Sequence, residues 1–232
     1  MIAKRGCVPE DETNFSPEAL KLMKTASGHA LYLINEGYDL KQATTFVGNH
    51  FLLSERQRLA IMRSVATGNQ LEERRKKLVP ITALAGQTVW IDGFNTVITM
   101  EVMLSDSILF SCMDGTVRDL AALRGTYRII DVTESAVRTM LDCLEEAHIQ
   151  KVYILLDEPV SNSGRLKALI AEVGEKYSFD LEITVQKDVD RVLYEKENVV
   201  SSDSIILDRC KSWVNLNEAC LSRLGVKCLR VW

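Results

Sequence analysis

The sequence predicts an α/β protein: a small all-α unit at the N-terminus, then a mostly parallel, doubly wound sheet flanked by helices. Two observations carry this. Apolar runs of strand length alternate with amphipathic stretches of helical period over about 150 residues, the pattern of strands joined by crossover helices. Residues 16–79, in contrast, show helical spacing alone. The organisation is therefore read as a flexible N-terminus (1–15), a helical domain (16–79), a linker (80–87) and a sheet domain (88–232).

Within the helical domain, Ser16 as N-cap, Pro17 at the first helical position and Glu18 in the first turn start the first helix, and Gly37 ends it. Asp39 to Gln42 and Ser54 to Gln57 resemble capping boxes, so two more helices follow, stopping near Gly48 and near Gly68. A three-helix unit of this kind offers Arg56, Arg58 and Arg63 to a DNA backbone, as a helix-turn-helix would; packing alone also explains its apolar positions. In residues 70–77, Glu72 to Lys76 and Glu73 to Lys77 are i,i+4 pairs and read as a solvated helix, with a phosphate-binding basic tract as the other reading.

Residues 88–92 read as the first strand, and 97–104 as helix or strand. A strand at 107–112, a polar turn at 113–119 that enters a short helix, and a strand at 127–130 follow. Helix 133–148 leads to a strand ending in Asp157, a helix capped by Ser163, a strand at 181–185 and a strand ending in Asp203. Helices then run to Leu224, Gly225 stops them, and 226–231 is a last strand.

At 232 residues and 47% hydrophobic content, the chain has material for a sizeable core. It has no run of roughly 18–20 apolar residues and no apolar core at its start, so a cytoplasmic protein without a membrane partner is expected. The six cysteines and three histidines are scattered, with no Cys-x-x-Cys or His-x-x-x-His pair, which fits a reducing compartment and gives zinc chemistry no support. The net charge of −4 is uneven: residues 1–80 carry 12 Lys and Arg against 9 Asp and Glu, and residues 81–232 carry 16 against 23.

The chemistry concentrates where strands end. Apolar runs terminate in Asp92, Asp157 and Asp203, and open α/β sheets place ligands beyond the carboxyl ends of their strands. Aspartates converging there repel one another, and a divalent cation, Mg²⁺ or Mn²⁺, is the usual means of keeping them ionised. Asp92, Asp157 and Asp203 are the candidate ligands and catalytic groups, with Asp114 or Asp119 as additions. Each aspartate equally reads as a cap for the helix after its strand. Whether Asp190 and Asp208 face the crevice is open. Beyond Asp157, Ser161, Ser163 and Arg165 open a helix that reads either as an ordinary Ser-capped helix or as a place to receive a substrate phosphate; Arg118 and Arg124 read as further phosphate contacts or equally as partners for neighbouring carboxylates.

Three tempting motifs fail. Residues 153–159 resemble the Walker B strand of ABC-type ATPases, but no G-x-x-x-x-G-K-(S/T) loop accompanies them. Met113-Asp114-Gly115-Thr116-Val117 resembles the haloacid-dehalogenase motif, yet Cys112 stands where its nucleophilic aspartate belongs. There is no G-x-G-x-x-G for a dinucleotide.

Ile91-Asp92-Gly93-Phe94-Asn95 resembles the Ile-Asp-Gly-(Tyr/Phe)-Asn opening of the NYN branch of PIN-like nucleases, and Ser201-Ser202-Asp203 resembles their late (Ser/Thr)-x-Asp element. The whole chain resembles uncharacterised prokaryotic proteins with a helical N-terminal domain of unknown function joined to a PIN-like domain. The resemblance implies a Rossmann-like PIN fold and metal-dependent ribonuclease ancestry. It also implies acidic roles for Asp92 and Asp203 and a substrate role for Asn95. The middle acidic position is open among Asp157, Asp114 and Asp119. RNA is thus the expected partner and DNA a weaker one, with a homo-oligomer open. A non-catalytic binding or regulatory module on the same fold is the alternative.

Overall fold

The computed structural model describes residues 4–121 and 125–232. The helical region contains α1 (Asp11–Asn14), α2 (Pro17–Asn35), α3 (Leu40–His50), α4 (Glu55–Ser64) and α5 (Gly68–Lys77). Its boundaries follow the caps. Ser16 accepts from the Ala19 N–H and Asp39 from that of Gln42, and Ser54 with Gln57 forms a reciprocal capping box. A second box, Thr67 with Gln70, opens α5, so Gly68 begins a helix and does not stop one. α4 ends earlier, where Val65 turns extended. The described part of the N-terminal segment expected to be flexible is anchored: Arg5 Nε donates to Glu101 Oε2 at 2.7 Å, and Arg56 holds Asp11 and the Gly6 carbonyl.

The rest of the chain runs β1 (Thr88–Asp92), α6 (Gly93–Leu104), β2 (Leu109–Ser111), β3 (Val117–Asp119), α7 (Thr133–Glu146), β4 (Lys151–Asp157), α8 (Ser163–Gly174), β5 (Asp180–Gln186), α9 (Val189–Tyr194), β6 (Val199–Val200), α10 (Ser204–Arg209), β7 (Trp213–Val214) and α11 (Leu216–Leu224). Five strands form a parallel sheet in the order β5-β4-β1-β6-β7. The chain winds outward from β1 through β4 to β5, then returns to the other side of β1. The order therefore reverses between β1 and β6, the switch point where such sheets open a ligand crevice.

Four sequence expectations change. Residues 113–119 are not turn throughout: 117–119 form β3, which pairs antiparallel with β2 across a turn in which Asp114 Oδ1 accepts from the Thr116 N–H. Residues 127–130 form no strand, since side chains satisfy this backbone, the Tyr127 N–H donating to Ser161 Oγ. The 226–231 segment makes only an isolated bridge, Leu229 to Phe110. Asn162, in the left-handed region, precedes α8 without a side-chain cap, and Ser163 is the helix's first residue.

Alternation divides the sheet into two faces. Val89, Ile91, Val152, Ile154 and Leu156 join the large core beneath α6, α7, α8 and α11. On the opposite face, Leu155 packs with residues of α9, α10 and β7. Gly93 is required where α6 starts against β4, because a Cβ there would meet Leu156 Cδ2 at 2.6 Å and the Leu155 carbonyl oxygen at 2.8 Å. The helical region is not a separate body: Phe15, Met23, Ile61 and their neighbours share a core with Phe110, Cys112, Leu120 and Val231.

Arg74 of α5 locks the two regions together. Its guanidinium, 2% exposed, donates to Asp114 at 2.7 Å and to Asp208 at 2.6 Å, while its carbonyl accepts from Trp213 Nε1. Replacing Arg74 with Met leaves Asp114 to Arg118 alone and strips Asp208 of its cation. It is expected to cost about 3–5 kcal/mol in urea unfolding; a loss within about 0.5 kcal/mol would show that this pairing is not structural.

Candidate functional site

Sheet parity aims two of the expected aspartates the same way. Asp92 pairs with Leu155 in register, and Asp157 lies two residues beyond Leu155, so both carboxylates point to the face carrying α9 and α10. Asp203 follows β6 across the switch point, and α9 adds Asp190. Asp92, Asp157, Asp190 and Asp203 line one cavity of about 230 Å³ with Asn95, Asp119 and Arg63.

Asp92 is the best-defined member. It sits at the N-cap position of α6 but makes no side-chain cap bond; Oδ2 accepts from Ser201 Oγ at 2.8 Å. Its role as a helix cap is therefore set aside. Burial pushes its carboxyl up to about 7, against the Ser201 hydrogen bond and with help from Asp190, Asp203 and Asp157. Burial and Asp190 also raise Asp157, against the Val189 backbone N–H, and burial with Asp203 raises Asp190. Asp203 does cap its helix, accepting from the Ile205 and Ile206 N–H groups. Asn95 Oδ1 accepts from the N–H and the Oγ of Ser202, both at 2.9 Å, fixing the loop after β6.

Other candidates are engaged elsewhere. Asp114 is outside the crevice: burial alone would raise its carboxyl, but Arg118, Thr116 and Arg74 hold it below the usual range. Asp208 pairs with Arg74 and Gln70. Asp119 reaches the cavity wall but is satisfied by Thr99 Oγ1 and the Ala121 N–H. Arg118 donates to the Ser202 and Arg63 carbonyls and to Asp114, so its nitrogens hold protein atoms. Ser161 bonds the Tyr127 backbone, and neither Ser163 nor the exposed Arg165 lines the crevice. Arg124 lies outside the described residues.

Sequence did not assign two of the cavity's residues to it. Asp190 follows β5 in Asp188-Val189-Asp190, a further strand end with acids after it, and that repetition was its signal. Arg63 comes from α4, where no sequence signal tied it to the sheet; it donates to the Asp119 carbonyl and stands 3.6 Å from that residue's carboxylate. It also lines a second cavity of about 300 Å³ with Arg74, Arg118, Asn95, Ser202 and Asp203, between the helical region and the sheet.

The donor set is all oxygen and acidic, which suits Mg²⁺ or Mn²⁺ over a softer metal. Among the described residues, no three His, Cys, Asp or Glu side chains are drawn close enough to hold an ion. No described helix is long and apolar enough to cross a membrane.

The fold and crevice define a class: parallel α/β proteins with an acidic site at the sheet's switch point. Within it, the chain belongs to the family of the domain of unknown function DUF5616, whose model matches residues 81–219. A second model, protein of unknown function DUF434, matches residues 22–77. The chain is 35% identical over 176 residues to the uncharacterized protein MJ0935 of Methanocaldococcus jannaschii, spanning 76% of this chain and 84% of that protein. No solved structure matches it.

The raised Asp92 carboxyl sets a pH dependence. A folded-state value of about 7 against 3.8 means that stability is full below about pH 4 and falls as pH rises through 7, by at most about 4 kcal/mol. In chelator, Asp92→Asn is expected to melt close to wild type at pH 4.5 and clearly above it at pH 8. A variant no more stable than wild type at pH 8 contradicts the buried, unneutralised carboxylate.

Proposed function

We propose that the protein is a PIN-like, metal-dependent phosphodiesterase that cleaves RNA. The convergence of Asp92, Asp157, Asp190 and Asp203 at the switch point carries this reading. Asp92, Asp157 and Asp203 would hold Mg²⁺ or Mn²⁺, with Asp190 beside them. Bound there, the ion would lower the pKa of a coordinated water and offset negative charge gathering on the phosphate.

The chain's own groups supply position and charge. Ser201 Oγ aims the Asp92 carboxylate, and Asn95 holds the Ser202 backbone so that Asp203 faces β1 across the crevice. The crevice is acidic and RNA is a polyanion, so a cation is needed at its mouth. Arg63, about one-third exposed and shared by both cavities, is placed to meet a substrate phosphate. The helical region thereby forms one wall of the site.

The alternative is a regulatory module that binds a metal, nucleotide or partner without cleavage. The balance of 16 Lys and Arg against 23 Asp and Glu in residues 81–232 favours it. DNA binding along an arginine row of the helical domain is left with Arg63 alone. Arg56 is engaged by Asp11, and Arg58 by Asn49 and the Leu53 and Gly48 carbonyls.

With Mn²⁺, the protein is expected to cut a labelled single-stranded RNA, and Asp92→Asn to slow cutting by about a hundredfold or more. Arg63→Ala is expected to raise KM about tenfold while changing kcat less. RNA that binds but stays intact under every divalent cation supports the regulatory module; cutting at an equal rate by Asp92→Asn removes the crevice from the chemistry.

A further inference from the structure

On the helical layer away from the crevice, Cys143 of α7 and Cys220 of α11 bring their Sγ atoms to 3.1 Å. That is only about 1 Å beyond the bonded sulfur–sulfur length of about 2.05 Å. The other buried cysteines point their thiols at backbone carbonyls, Cys112 at Phe110 and Cys210 at Leu207. The two members of the pair differ. Cys220 is fully buried, whereas Cys143 is 7% exposed and lines a cavity of about 320 Å³ with Ile81, Ala147, His148, Ala219 and Arg223.

The surroundings favour a thiolate on Cys143. The Cys220 thiol donates to it, burial opposes, and Arg223 adds positive charge, so the Cys143 thiol lies below its ordinary value. Cys220 is raised, first by its hydrogen bond to Cys143 and then by burial. This is the asymmetry of an attacking and a resolving thiol. Glu146, also on the cavity wall, is paired with Arg223 at 2.6 Å.

We propose that Cys143 and Cys220 form a reversible dithiol–disulfide pair, oxidised by a low-molecular-weight disulfide that enters the cavity at Cys143. The Cys143 thiolate attacks one sulfur of the small disulfide; a mixed disulfide forms and one small thiolate leaves. Cys220, giving its proton to that thiolate, attacks the Cys143 sulfur and displaces the second small thiolate. Two protein thiols are oxidised and one small disulfide is reduced to two thiols. The bond ties α7 to α11, and both helices pack against α6, whose first turn carries Asn95. It closes a loop between positions 77 apart in sequence, so the oxidised form is expected to melt higher, by on the order of 5–10 °C.

The test equilibrates the full-length protein with oxidised and reduced glutathione at graded ratios, then maps peptides without reduction and counts thiols in denaturant. Wild type is expected to lose the Cys143 and Cys220 thiols together, beside a glutathione adduct at the exposed Cys7, with one cross-linked peptide joining Cys143 to Cys220 and the original melting temperature restored by dithiothreitol. Cys220→Ser is expected to stop at a glutathione adduct on Cys143. Cys143 and Cys220 thiols retained at the most oxidising ratio, or a bond mapped to other cysteines, overturns the proposal. The wild-type map decides the matter even if the variant does not fold.

Discussion

The fold rests on a buried guanidinium. Arg74 leaves a helix of otherwise solvated charges and binds Asp114 from the β2–β3 turn and Asp208 from α10, while its carbonyl takes the indole of Trp213. Burying one cation beside two anions is tolerable because each hydrogen bond is charge-assisted and the geometry is fixed from both sides. The result joins the helical region, the hairpin and the short outer strands, which would hold each other weakly: β6 and β7 are two residues long.

That pairing also decides what the crevice contains. Arg74 and Arg118 neutralise Asp114 and Arg74 neutralises Asp208, so these acids serve the frame. Asp92, Asp157 and Asp190 are left with burial and one another, and their carboxyls rise together. Local folding holds them there against repulsion: strand parity places Asp92 and Asp157, the capping geometry of α10 places Asp203, and a glycine at 93 lets α6 start hard against β4. Such uncompensated charge is stability given up at one place, and functional sites are where proteins commonly hold it.

The central strands were legible because apolar runs ending in Asp, within strands of five and seven residues, are strong local signals. Asp92, Asp157 and Asp203 followed directly. Legibility failed where the structure is made by distant contacts. Glu72-Glu73-Arg74-Arg75-Lys76-Lys77 reads as a solvated face, and Lys76 does pair with Glu72 and Glu73. Lys77, expected to pair with Glu73, instead donates to the carbonyls of Leu207, Asp208 and Cys210, and Arg74 disappears inside. No local pattern separates the buried arginine from its neighbour. Arg63 reached the crevice for the same reason, through docking that helical periodicity does not encode, and residues 226–231 looked like a strand while supplying only a bridge and part of a shared core.

The central claim is that the strand-end carboxylates accept a divalent cation. Calorimetric titration of Mn²⁺ into wild type and into Asp92→Asn/Asp203→Asn tests it most directly, since asparagine still caps α10 and keeps the side-chain shape. The account predicts one saturable binding event in wild type that disappears in the double variant, with circular dichroism unchanged. Wild type that takes up no Mn²⁺ at millimolar concentration, or a double variant that binds as wild type does, would contradict it.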